Sequence, residues 1–127
     1  MEASLMRKIV AFLLVFSLCS HGKAEYCSLS DLSVTQTTIP SKVDGCTVTV
    51  ENRCICTQGN VKLSCGGFNP SAMGVDPDVL SVDGDGQLCT LNGGRPIGMG
   101  PEYAVKFSYS SGSQFSFKPV SSTIACS

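Results

Sequence analysis

The sequence predicts a small all-β domain, a disulfide-stapled antiparallel β-sandwich. Three observations predict it. Apolar and polar residues alternate with a period of two through several short segments. Clusters of Gly, Pro, Asn and Asp separate those segments. No window of ten or more residues beyond position 24 shows helical periodicity. Six or seven short strands joined by such turns fit a sandwich.

The first element is not part of that fold. Arg7 and Lys8 precede an apolar run from Ile9 to Leu18, and Gly22-Lys23-Ala24 offers small residues where a signal peptidase reads. Residues 1–24 read as a secretory signal peptide cleaved before Glu25. The apolar run is too short for a membrane span, and no later run approaches the roughly 20 residues that a span needs. Residues 25–127 then form one secreted cysteine-rich domain of 103 residues, too short for two. It keeps six Lys/Arg and nine Asp/Glu, a formal charge of −3. With no basic patch, neither nucleic acid nor an anionic membrane is an expected partner.

The first strand runs from Leu32 through Val34 to Ile39 and stops at Pro40, which lacks a donor. Lys42-Val43-Asp44-Gly45 is a turn. Residues 46–68 are the organising stretch. Cys46, Val48, Val50, Asn52, Cys54 and Cys56 share one phase, and Thr47, Thr49, Glu51 and Arg53 the other. After Thr57-Gln58-Gly59-Asn60 the pattern resumes with Val61, Leu63 and Cys65 inward, which predicts a hairpin. Gly66-Gly67-Phe68-Asn69-Pro70 breaks the pattern, and residues 71–80 are irregular. Asp83-Gly84-Asp85-Gly86 reads as a tight acidic turn, since it lacks the remaining ligands of a calcium loop. Leu88 to Leu91 is a strand that meets Asn92-Gly93, a strong hairpin signal. Tyr103, Val105, Phe107 and Tyr109 alternate as a strand with core-facing rings. Phe115 and Phe117 continue the pattern after a Ser/Gly turn. Val120, Ile124 and Cys126 form one face of the last strand.

Seven of the eight cysteines lie beyond the signal. A secreted chain oxidises them to disulfides. Zinc is not expected, because Cys54-Ile55-Cys56 lacks the usual spacer and no histidine follows residue 24. Cys54 and Cys56 are not expected to bond each other. One intervening residue sets their Cα atoms about two rises, near 6.6 Å, apart with both side chains pointing the same way. The missing histidine also removes the base of a Ser-His-Asp or Cys-His pair. The aspartates sit in turn contexts, and no phosphate-binding loop opens a helix. The chain reads as a non-enzyme without cofactor. Loops on a rigid scaffold carry recognition, and Asn92 and Arg95 are the residues assigned to contact a partner.

Several stretches together resemble a known family. They are Cys27-Ser28-Leu29-Ser30-Asp31, Thr47-Val48-Thr49-Val50 with Asn52 and Cys54, Leu63-Ser64-Cys65-Gly66-Gly67-Phe68, Cys89-Thr90-Leu91-Asn92-Gly93-Gly94-Arg95-Pro96, and Phe117-Lys118-Pro119-Val120 running to Cys126. The chain is similar to the tapetum determinant family of small secreted plant proteins. The resemblance implies an extracellular, apoplastic signalling ligand. Its partners would be the leucine-rich-repeat ectodomain of a receptor kinase, with a co-receptor, and its output a change in cell fate or differentiation. It implies that Cys27, Cys54, Cys56, Cys65, Cys89 and Cys126 form three bridges and leave Cys46 as an extra thiol. Sharing the phase of Val48 and Val50, Cys46 is expected to be buried and unreactive in a monomer, the rival being a covalent dimer. The founding member carries a long segment before its domain, so this chain reads as a paralogue with its own receptor or tissue. The alternative function is a non-catalytic module for cell-wall carbohydrate, which an exposed strip of aromatic rings would favour.

Overall fold

The structure, a computed structural model, describes residues 27–126. The predicted signal peptide, its cleavage site and Glu25 lie outside the described residues. Seven strands follow in order: β1 (Leu32–Thr38), β2 (Gly45–Asn52), β3 (Thr57–Ser64), β4 (Leu80–Val82), β5 (Leu88–Leu91), β6 (Val105–Ser110) and β7 (Lys118–Ala125). They form two antiparallel sheets, ordered β1-β2-β6 and β4-β5-β3-β7. Helical geometry among the described residues is confined to 3-10 turns at Leu29–Asp31, Asn92–Gly94 and Pro101–Tyr103. The chain is therefore all-β, as its periodicity predicts.

The core lies between the sheets. Val48, Val50, Val105, Phe107 and Tyr109 meet Val61, Leu63, Leu80, Cys89 and Leu91 across it. Phe68, just beyond β3, sits among Phe107, Tyr109, Phe115 and Phe117, with ring centroids 5.0 to 6.3 Å away. Edge-to-face pairs of this kind add about 0.5–1.5 kcal/mol each beyond the area they bury. Tyr109 closes a polar clasp beside this cluster. Its hydroxyl donates to Gln36 Oε1 and accepts from the Phe115 N–H, while Gln36 Nε2 donates to the Phe115 carbonyl.

The structure corrects four readings. Residues 46–68 are not a hairpin, because β2 and β3 belong to different sheets. A strand has two edges, and those of β2 are taken by β1 and β6, those of β3 by β5 and β7. Asn92-Gly93 does not turn a hairpin either. Asn92, Gly93 and Gly94 have φ of 59°, 62° and 80°, a left-handed 3-10 turn that sends the chain out of one sheet toward the other. The adjoining segment pairs Ile97 with Gln58 of β3 and Met99 with Asn52 of β2. Tyr103 is not a core ring: it precedes β6 in a 3-10 turn and is 60% exposed. Val120 faces solvent because β7 is bulged there. Leu63 opposes Pro119 and Lys62 opposes Ser121, so the extra residue shifts the phase. Beyond these, a short strand β4 begins at Leu80, the last residue of the segment expected to be irregular, and makes the Asp83–Gly86 turn the tip of a β4–β5 hairpin.

Candidate functional site

Asn52 builds one end of the sandwich. It is the last residue of β2, on the inward phase and fully buried. Its Nδ2 donates to the carbonyls of Cys56 (2.8 Å) and Ile97 (2.9 Å), and its Oδ1 accepts from the Cys54 N–H (3.0 Å). These bonds turn the chain out of β2 and into β3. Its backbone carbonyl accepts from the Gly100 N–H. Buried Gln58 extends the network, with Nε2 donating to the Ser28 carbonyl and Oε1 accepting from the Ser122 hydroxyl. The polar capacity of both buried amides is thus spent on backbone and hydroxyl groups of the surrounding segments.

Disulfides lock the same end. Cys27 bonds Cys54 and Cys56 bonds Cys126, so the first and last described segments are clamped onto one short bend. The sulfurs of Cys27, Cys56 and Cys126 lie within 4.8 Å of one another, so the two bridges stack. Bonded in this way they offer no thiolates to a metal. The third bridge, Cys65–Cys89, joins the end of β3 to β5 in the core. Cys54 and Cys56 each reach a different partner, as their common direction requires.

Between Cys54 and Cys56, Ile55 points outward and is 75% exposed. Met99, the β2-bridged neighbour of Asn52, is 49% exposed, and Tyr103 lies close by. The Tyr103 ring covers Gly98, where an added Cβ would come within 3.2 Å of it. Arg53 stands at this end with its side chain 63% exposed. Its Nε is 4.0 Å from Glu51, and among the described residues its guanidinium makes no other hydrogen bond or ion pair. The sequence reading missed this group. The signal was present in Ile55, an apolar residue on the solvent phase between two cysteines.

The residues singled out in the sequence sit elsewhere. Arg95 Nη2 donates to the Asp78 carbonyl and to Asn92 Oδ1, so the pair is tied to its own turn and to the segment before β4. Cys46 forms no disulfide. It is half-buried rather than buried, a correction with a simple cause: it lies near the start of β2, where the core gives way to an open groove of about 340 Å³ shared with Thr38, Lys42, Asp44 and Gln114. Burial pushes the Tyr109 hydroxyl above its ordinary value, against the Phe115 N–H that lowers it, and the adjacent Cys46 thiol adds to the rise. Two other cavities are shallow. One of about 190 Å³ lies beside Pro70, Val75 and Leu80. The other, about 370 Å³ and mostly apolar, is bounded by Leu29, Ser30, Leu32 and Pro119.

On the outer face of the second sheet, Lys62 Nζ donates to Asp83 Oδ2 (2.9 Å) and to Thr90 Oγ1 (2.6 Å), and that hydroxyl donates to Asp83 Oδ1 (2.7 Å). The Lys62 and Thr90 bonds hold the Asp83 carboxyl below the usual carboxylate range. The group joins β3, the β4–β5 turn and β5.

A family model described as Tapetum determinant 1, C-terminal, matches residues 28–127. No curated protein and no solved structure matches the chain.

Proposed function

Because this chain belongs to the tapetum determinant family, we propose that it is a secreted signalling ligand. It binds the leucine-rich-repeat ectodomain of a plant receptor kinase and influences cell fate or differentiation. The observation that carries this reading is the family match over nearly the whole described domain. Two disulfides and two buried, hydrogen-bonded amides hold the backbone behind the exposed end, so binding there orders little chain. The protein acts by contact rather than by catalysis, and it reaches the apoplast through cleavage of residues 1–24.

The aromatic rings bear on the wall-carbohydrate alternative. Phe68, Phe107, Tyr109 and Phe117 are buried, and Tyr103 is the exposed ring among the described residues. One ring gives a sugar chain no stacking platform.

The deciding experiment presents secreted protein to a panel of recombinant receptor-kinase ectodomains and, in parallel, to wall polysaccharides. Saturable capture by one ectodomain is expected. Retention on polysaccharide alone would reject the ligand reading.

A further inference from the structure

We infer that the ridge formed by Arg53, Ile55, Met99 and Tyr103 is the surface that docks on the receptor, and that it fits an apolar pocket flanked by a carboxylate. The assignment rests on the ligand reading above.

Three large apolar side chains stand at one end, exposed by 49% to 75%. None belongs to either hydrophobic cluster of the fold. Ile55 in particular is held outward by a bend that the Cys27–Cys54 and Cys56–Cys126 bridges and the Asn52 side chain define. Keeping an isoleucine in water has no benefit for this backbone, which those bonds would shape around any residue. The ridge therefore meets a partner with its conformation already set, which lowers the entropy cost of binding.

The composition and charge identify the kind of partner. Tyr, Met and Arg are enriched at the buried centres of protein interfaces. Ile55 and Tyr103 are the most exposed of the three apolar side chains, and none of the three lines the cavities beside Cys46, Val75 and Leu29. Exposed apolar side chains of this composition, grouped at one end, call for a protein partner rather than a small molecule. Among the described residues the two Nη groups of Arg53 take no partner, leaving the fork that a carboxylate takes in bidentate fashion. Other exposed apolar residues lack this setting. Val43 lies in the β1–β2 turn, Val82 at the end of β4 and Val120 on the β7 bulge, away from the bend that the two bridges define.

The test uses secreted protein purified with its disulfides intact and the panel of immobilised ectodomains. Ile55→Asp and Tyr103→Ala are compared with Val43→Asp and Val120→Asp, each first checked for a wild-type melting curve. For an ectodomain that captures the wild type, Ile55→Asp is expected to weaken affinity about 30-fold or more and Tyr103→Ala about tenfold, as hot-spot residues do. The two control variants are expected to stay within about twofold, as residues outside a hot spot do. Unchanged affinity of both ridge variants overturns the docking assignment and leaves the ligand reading standing. Capture of the wild type by no ectodomain rejects the ligand reading and the assignment with it. Binding to phosphatidylcholine–phosphatidylserine vesicles that Ile55→Asp abolishes, with ectodomain affinity unchanged, overturns the assignment in favour of a membrane-facing ridge.

Discussion

Asn52 shows how much a single polar side chain can organise. On a strand it would be a poor β-former. Here its amide bonds two carbonyls and one N–H in a fully buried position, so it sets where β2 ends and where the chain crosses to the other sheet. Asn52→Leu keeps the volume and removes every one of those bonds. It is expected to cost about 2–4 kcal/mol, since each orphaned buried group forfeits roughly 1–3. Chemical denaturation of the two proteins measures it, and a loss below half a unit would show that water takes the place of the amide. Cys46 makes a second residue-scale case. Its thiol lines an open groove, so the native protein should take up one equivalent of maleimide at Cys46 without denaturant. Labelling that appears only on unfolding would restore the buried reading. A reducible dimer lost in Cys46→Ser would show that the groove admits a second chain.

At the scale of elements, the Lys62–Asp83–Thr90 group ties the tip of the β4–β5 hairpin to β3. The lowered Asp83 value makes that tie pH-dependent with a definite sign. The folded-state value lies below the unfolded one, so the stabilisation is fully present above the ordinary value of 3.8. It is lost as pH falls through the lower, folded value. Asp83→Asn should therefore melt below the wild type at neutral pH, and the gap should close as pH drops from about 5 toward 2, the range over which a salt-bridged aspartate gives up its contribution. A gap that is constant with pH would assign the loss to geometry instead of charge. The other elements obey similar local rules. The β7 bulge re-aims Val120, and left-handed geometry at Asn92 to Gly94 turns the chain between sheets.

At the scale of the molecule, three bridges cross-link a domain of modest core. Two of them hold the first and last described segments on the 54–56 bend. The Cys65–Cys89 bridge closes a loop with a sequence separation of 24. In the chain-entropy model such a loop contributes about 3–4 kcal/mol. Replacing both residues by serine should lower stability by about that amount, with a small extra loss for two polar groups in the core. An unchanged denaturation midpoint would show that this link is redundant with sheet packing. The molecule as secreted should begin at Glu25, since Gly22-Lys23-Ala24 fits the peptidase rule. Amino-terminal sequencing of secreted protein checks it, and a start upstream of His21 would reject that cleavage site.

The residues alone determined the fold class, because a period of two is a local property that each strand displays by itself. They determined the inward phase of Val48, Val50, Asn52, Val61, Leu63, Phe107 and Tyr109 for the same reason. The cysteine order and its neighbours also carried the family likeness. Tertiary structure alone decided which strands pair, since a strand's pattern names its buried face and leaves both hydrogen-bonding edges open to any partner. That is why β2 and β3, adjacent in sequence and matched in pattern, lie in opposite sheets. It also decided the disulfide pairing, the phase change at Val120 and the exposure of Tyr103. Each depends on a contact between segments far apart in the chain. The ridge at Ile55 was half legible. Its outward phase is written in Cys54-Ile55-Cys56, but bringing Met99 and Tyr103 to the same end needed the crossover of residues 92–104, which Asn52 anchors through bonds that no local pattern encodes.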